Sequence, residues 1–126
     1  MSRPIKFRAW DPVAPRMFEV DGLSFLNQYV TDERGQRLYK LNQVNLMQFT
    51  GLKDKNGKEI YEGDILKNMA SEDVQSITFD LGAFMWGSAP LNIVKRIGQF
   101  EEGNQLKFHE VIGDIYENPE LLEDKP

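Results

Sequence analysis

The chain contains no cysteine. That excludes disulfides, thiolate nucleophiles and cysteine-held metal, and it suits a reducing compartment. There is one histidine, His109, so a zinc site built from several imidazoles is excluded as well. No apolar run approaches the roughly 18–20 residues of a membrane-spanning helix. The opening residues, Met1-Ser2-Arg3-Pro4-Ile5, lack the apolar stretch of a secretory signal. The expected location is the cytoplasm, with no membrane partner. Repeats, low-complexity tracts and Gly/Ser-rich linkers are also missing, so the 126 residues are expected to form one domain. No nucleophile-elbow G-x-S-x-G occurs. The spacing from Gly51 to Gly57 is one residue too long for a P-loop, and Glu59 follows Lys58 where that loop needs Ser or Thr.

What is present is uneven charge and strand-like alternation. Met1 to Ile60 carries ten Lys/Arg and seven Asp/Glu, a balance of +3. Tyr61 to Pro126 carries five and thirteen, a balance of −8. Complementary halves can pack within one chain or join copies head to tail. The acidic balance argues against general nucleic-acid affinity, which depends on releasing counterions from phosphates. Ile5, Phe7 and Ala9 alternate with Lys6, Arg8 and Trp10, and Val44, Leu46 and Gln48 alternate with Asn45, Met47 and Phe49 as a second strand. Ile77 and Phe79 share one face of a further alternating stretch, and Leu106, Phe108, Glu110 and Ile112 share one face of another. Taking the apolar side of each strand, Phe7, Ile65, Phe79 and Ile112 are expected in one core. Leu23 to Val30 and Ala89 to Asn104 are ambiguous between helix and strand. Asn56-Gly57 predicts a tight hairpin turn of the two-residue type I′ kind. Asn118-Pro119 predicts the start of a single helical turn, with Asn118 as its cap. The expected fold is mostly β: an N-terminal β extension over residues 1–60, a small SH3-like barrel over residues 61–118, and a short C-terminal helical turn.

Three stretches carry a more specific signal. They are Lys6-Phe7-Arg8-Ala9-Trp10-Asp11, then Met47 through Ile65 (MQFTGLKDKNGKEIYEGDI), then Val111 through Leu122 (VIGDIYENPELL). In residues and order they resemble the YopX family, whose members are typically encoded by bacteriophages and prophages. The resemblance implies a phage or prophage origin, a compact mostly β fold and self-association. It implies no activity, cofactor or catalytic residue.

The side chains themselves suggest binding rather than catalysis, with no catalytic residue, metal ligand or cofactor assigned. The large aromatics read first as core and, where exposed, as a peptide or base-stacking surface; Trp10 and Trp86, with Lys53, Lys55 and Lys58 on the Asn56-Gly57 hairpin, are the candidate binding residues. The leading expectation is a non-enzymatic accessory protein that self-associates and binds a host or phage protein. One alternative is a nucleic-acid module in which Lys6, Arg8 and a mobile lysine hairpin touch phosphates. Another is a metal-dependent hydrolase in which Glu62, Asp64, Asp80, Glu110 and Asp114 converge at strand ends. His109 reads as an ordinary strand-face residue.

Overall fold

The computed structural model describes residues 4–91 and 104–123. The ambiguous stretch from Ala89 lies largely outside these residues. The chain divides into two compact units, Met1–Gln48 and Phe49–Pro126, and each has its own apolar core.

In the first unit, β1 (Phe7–Asp11) and β2 (Arg16–Glu19) form an antiparallel hairpin that sets Ala9 opposite Phe18. Asp11 ends β1 by accepting the backbone N–H of Val13 at 2.9 Å and of Ala14 at 3.3 Å. The Asp-Pro pair is thus a side-chain-closed turn. Leu23 to Val30, ambiguous in the sequence, forms β3 (Gly22–Ser24) and β4 (Tyr29–Thr31), and β5 (Leu38–Lys40) completes a three-stranded sheet. Ala9, Phe18, Val30, Tyr39 and Val44 make the core, with Phe18 and Tyr39 stacked at 4.9 Å. A 3-10 turn at Leu41–Gln43 leads into β6 (Asn45–Lys53), whose first residues pair with β1.

Residues 49–53 of β6 belong to the second unit. The strand runs on to Lys53. It does so through a bulge at Gly51, which is buried with φ +89°. Thr50 stitches the bulge by donating its hydroxyl to the Ile60 carbonyl at 2.8 Å and accepting Leu52 N–H. β7 (Glu59–Tyr61) returns from the hairpin. The connection is not the two-residue turn expected. Gly57 alone takes a positive φ, +84°, and its N–H donates to Asp54 O at 3.0 Å while Asp54 N–H donates to Lys58 O at 2.8 Å. That is the three-residue loop in which a type I turn is followed by a left-handed residue. An added Cβ at Gly57 meets nothing within 4 Å, so Gly57→Val acts through backbone strain alone. We expect it to lower stability by roughly 1 kcal/mol. An unchanged urea midpoint would show that the loop relaxes to another conformation.

β8 (Asp64–Asn68), β9 (Val74–Asp80), β10 (Ala83–Trp86), β11 (Ala89–Pro90) and β12 (His109–Asp114) form an antiparallel sheet in the order β11-β10-β9-β8-β12. Ile60, Leu66, Ile77, Leu91 and Leu106 are its core, with Trp86 and Val111 against them. Gly63 (φ +89°) makes the turn into β8. Its N–H donates to Ile77 O and its carbonyl accepts from Ile115 N–H. Pro119–Leu122 forms a 3-10 turn, but Asn118 does not cap it. The Asn118 Oδ1 instead accepts Asp114 N–H at 3.2 Å.

The expected single core does not form. Phe7 is half-buried in the first unit, and Ile65 is fully buried in the second. Phe79 is 54 % exposed although Ile77, on the same face of β9, is 1 % exposed. Pairing of β9 with β8 stops at Ser76, and the last residues of β9 pair only with β10. Phe79 therefore sits on a hairpin end with no β8 beneath it. In β12 the inward face is also reversed. His109 and Val111 point to the core, Ile112 is half-buried and Phe108 is 38 % exposed. Leu106 is buried from a segment outside the strand, where Gln105 bridges Lys53 in parallel, so the alternation read across 106–112 is not one strand.

Candidate functional site

The three candidate lysines lie together on the β6–β7 hairpin, and their side chains are exposed. The hairpin is not a free arm. Lys53 N–H donates to Asn104 O at 2.7 Å, and Leu106 N–H donates back to Lys53 O at 2.8 Å. Lys55 N–H donates to His109 O at 2.9 Å. Gln105 Nε2 donates to Lys55 O, and Asn56 Nδ2 donates to Glu110 Oε1 at 2.9 Å. The buried Asp54 is the central fastening. Its Oδ1 accepts Asn56 and Lys58 N–H, and its Oδ2 reaches across to Val111 N–H, each at 2.9 Å. The lysines project from a pinned platform, with Glu59 on β7 and Glu110 on β12 beside it, which corrects the mobile-arm expectation.

Trp86 belongs to the same unit but is occupied. Its Nε1 donates to Leu66 O at 3.1 Å, and its ring meets the His109 imidazole edge-on at 4.6 Å. Trp10 is half-buried on β1 of the first unit, opposite Met17. The structure thus groups the lysines and anchors Trp86 in the core.

The carboxylates of the hydrolase alternative separate by role. Strand register sets Asp64 opposite Asp114. Asp64 Oδ2 accepts Tyr61 N–H at 2.8 Å, and Asp114 Oδ1 accepts Tyr116 and Glu117 N–H at 2.9 Å each. Asp80 is exposed at the far hairpin end, and Glu110 holds Asn56. Among the described residues, no three His, Cys, Asp or Glu side chains gather to hold a metal. Asp54, Asp64 and Asp114 each accept backbone N–H groups at a turn, and Asp54 accepts one from β12 as well, a structural use of a carboxylate. In the first unit Asp32 does the same, accepting Arg34, Gln36 and Arg37 N–H beside the Arg16 guanidinium. Burial works to raise its pKa, but these donors and Arg16 outweigh it and hold the carboxyl below its ordinary 3.8.

His109 is a buried titratable group whose ring the fold leaves partly unsatisfied. It is 4 % exposed, and its buried Nε2 has no hydrogen-bond partner among the described residues. Burial pushes its pKa below the ordinary 6.5, because the imidazolium would be desolvated. The unfolded chain then binds a proton that the folded chain refuses. Stability is full above about pH 6.5 and is lost as pH falls from there toward the depressed folded pKa. We expect the urea midpoint to drop between about pH 7 and pH 5, and the drop to shrink in His109→Phe. Equal slopes in both proteins would show that His109 takes up its proton freely in the fold.

The exposed apolar residues were not legible as a site. Phe25 and Leu26, 65 % and 91 % exposed, sit on the β3–β4 connection. Phe79 and Leu81, 54 % and 90 % exposed, sit on the β9–β10 end. Leu81 and Gly82 form the β9–β10 turn. An unusual leucine in that turn was the available signal.

Three comparisons bear on this arrangement. The family model for YopX protein matches residues 6–123. The chain is 31% identical over 132 residues to the SPbeta prophage-derived uncharacterized protein YopX of Bacillus subtilis (strain 168), covering 93% of this chain and 95% of that one. It is similar to the crystal structure of protein EF1440 from Enterococcus faecalis, with TM-score 0.71, 32% identity, and coverage of 97% of this chain and 100% of that one. The solved structure of YopX from Bacillus subtilis aligns at TM-score 0.49 and 24% identity.

Proposed function

The chain belongs to the YopX family, and from that premise we propose that it is a non-catalytic prophage accessory protein that works by binding protein, including further copies of itself. The observation that carries the reading is the distribution of charge over the two units. Met1–Gln48 holds seven Lys/Arg and five Asp/Glu, a balance of +2. Phe49–Pro126 holds eight and fifteen, a balance of −7. Opposite net charge on separate folded units lets the basic unit of one copy attract the acidic unit of another at short range, against the net −5 that each copy carries. The turn-closing use of Asp54, Asp64 and Asp114 supports it as well, because these residues of the family-like stretches serve the fold rather than a reaction. A prophage origin follows from the likeness to the SPbeta prophage-derived relative of Bacillus subtilis, and the bacterial cytoplasm is the place of action in this reading. An SH3-like second unit is part of the same proposal, supported by short antiparallel strands joined by tight turns.

Sedimentation velocity tests it. We expect concentration-dependent association at low salt that weakens as ionic strength rises past the physiological range, where the Debye length is about 8 Å. A monomer at every concentration in low salt would remove self-association from the reading. Retention of duplex or single-stranded DNA with a steep salt slope would move the assignment to the lysine hairpin and nucleic acid.

A further inference from the structure

The β9–β10 connection joins two observations that folding does not explain. Asp80 and Ala83 are register partners, so Leu81 and Gly82 alone form the loop, with φ of 53° and 78°. Two left-handed residues make a type I′ turn, whose first position favours Asn, Asp or Gly. A leucine there is strained by its Cβ. Burial would compensate for that strain, yet Leu81 is 90 % exposed. Behind it Phe79 and Phe84 meet edge-to-face across the hairpin at 5.1 Å, and Phe79 is itself 54 % exposed. The charged group at this end is Asp80, which is exposed, and the unit as a whole is at −7.

The first unit carries a counterpart with the opposite charge. Its β3–β4 connection presents Leu26 and Phe25, whose ring stands edge-on to Phe7 at 6.5 Å. Gln28 in that connection is also left-handed, with φ 58°. Its carbonyl accepts Leu41 N–H, which fastens the connection beside Lys40, the exposed register partner of Tyr29. One end is thus apolar with a carboxylate, and the other is apolar with an ammonium group.

We propose that the β9–β10 end of one copy docks on the β3–β4 end of a second copy, with Phe79 and Leu81 against Phe25 and Leu26 and with Asp80 facing Lys40. This rests on the self-association reading and names its contact. The two ends differ, so the contact is heterologous: every copy in a chain of contacts offers one end and uses the other, giving a ring or an open filament. The strained leucine is then retained for binding, as backbone strain at functional positions often is. The apolar side chains anchor the contact, and the Asp80–Lys40 pair sets its direction.

The experiment uses Leu81→Asn and Leu26→Asp in the full chain, read by sedimentation velocity and urea denaturation. Leu81→Asn places a favoured residue in the turn, so its urea midpoint should match or exceed the parent's while association weakens at least about tenfold. Leu26→Asp, at an exposed position, should also fold and lose association. Mixed one to one, the two variants retain one intact contact between them and should form a complex that stops at two copies. If the parent associates and Leu81→Asn associates equally well, this contact is wrong and self-association stands. If the mixture stays monomeric, the two ends do not meet. A monomeric parent overturns both.

Discussion

Asp54→Ala should destabilise the second unit by about 3 kcal/mol, because it strands donors that the fold has no other way to satisfy. Asp54 is 1 % exposed, and its two oxygens accept three backbone N–H groups. Two of them belong to the hairpin loop, at Asn56 and Lys58, and water can partly replace the carboxylate there. The third belongs to Val111, a β12 residue packed against the core. Its N–H faces the hairpin, so losing Asp54 leaves that donor unpaired. Asp54→Asn should not rescue it. An amide has one accepting oxygen, and serving Asn56 and Lys58 with it turns the NH2 group toward Val111 N–H, donor against donor. Both variants should lower the urea midpoint at constant slope. Full stability in Asp54→Asn would mean that the Val111 bond is dispensable.

That bond also marks how far the sequence could be read. Asp54 and Asn56-Gly57 are visible as turn residues, and the hairpin is where they predict it. A partner 57 positions further along the chain is not visible, because turn chemistry is local and strand docking is not. The same limit explains Phe79. Period-two alternation correctly puts Ile77 and Phe79 on one face of β9. Whether that face is covered depends on where β8 stops pairing, and the Gly63 turn decides it by leading the chain away. In β12 the error had another source. Leu106 is apolar and buried, but it reaches the core from a segment bridged to Lys53. Extending its phase into the strand put His109 outside. For the candidate site, the lysines were legible because hairpin tips are polar by default. The apolar ends were not, since an exposed leucine and a buried one look alike until the neighbouring strands are placed.

Leu66→Ala should produce the other large loss, about 4 kcal/mol, toward the upper part of the range for leucine truncations. Leu66 is fully buried among Ile60, Ile77, Leu91 and Leu106. It lies on β8, which pairs with β9 through Gln75 and with β12 through Val111. A strand held on both edges cannot move into the space left by the missing atoms without breaking a ladder. Its carbonyl is also fixed by Trp86 Nε1, so the cavity stays open and its lining loses contact. Phe79→Ala is the internal control. It removes a larger side chain from the adjacent strand, but one that is 54 % exposed and meets the Phe84 ring edge-on. Its cost should stay below about 1 kcal/mol, close to the worth of an aromatic pair. Urea midpoints of the two variants, measured side by side, decide the matter. Comparable losses would mean that the β9–β10 end is packed as core and is not available to a second copy.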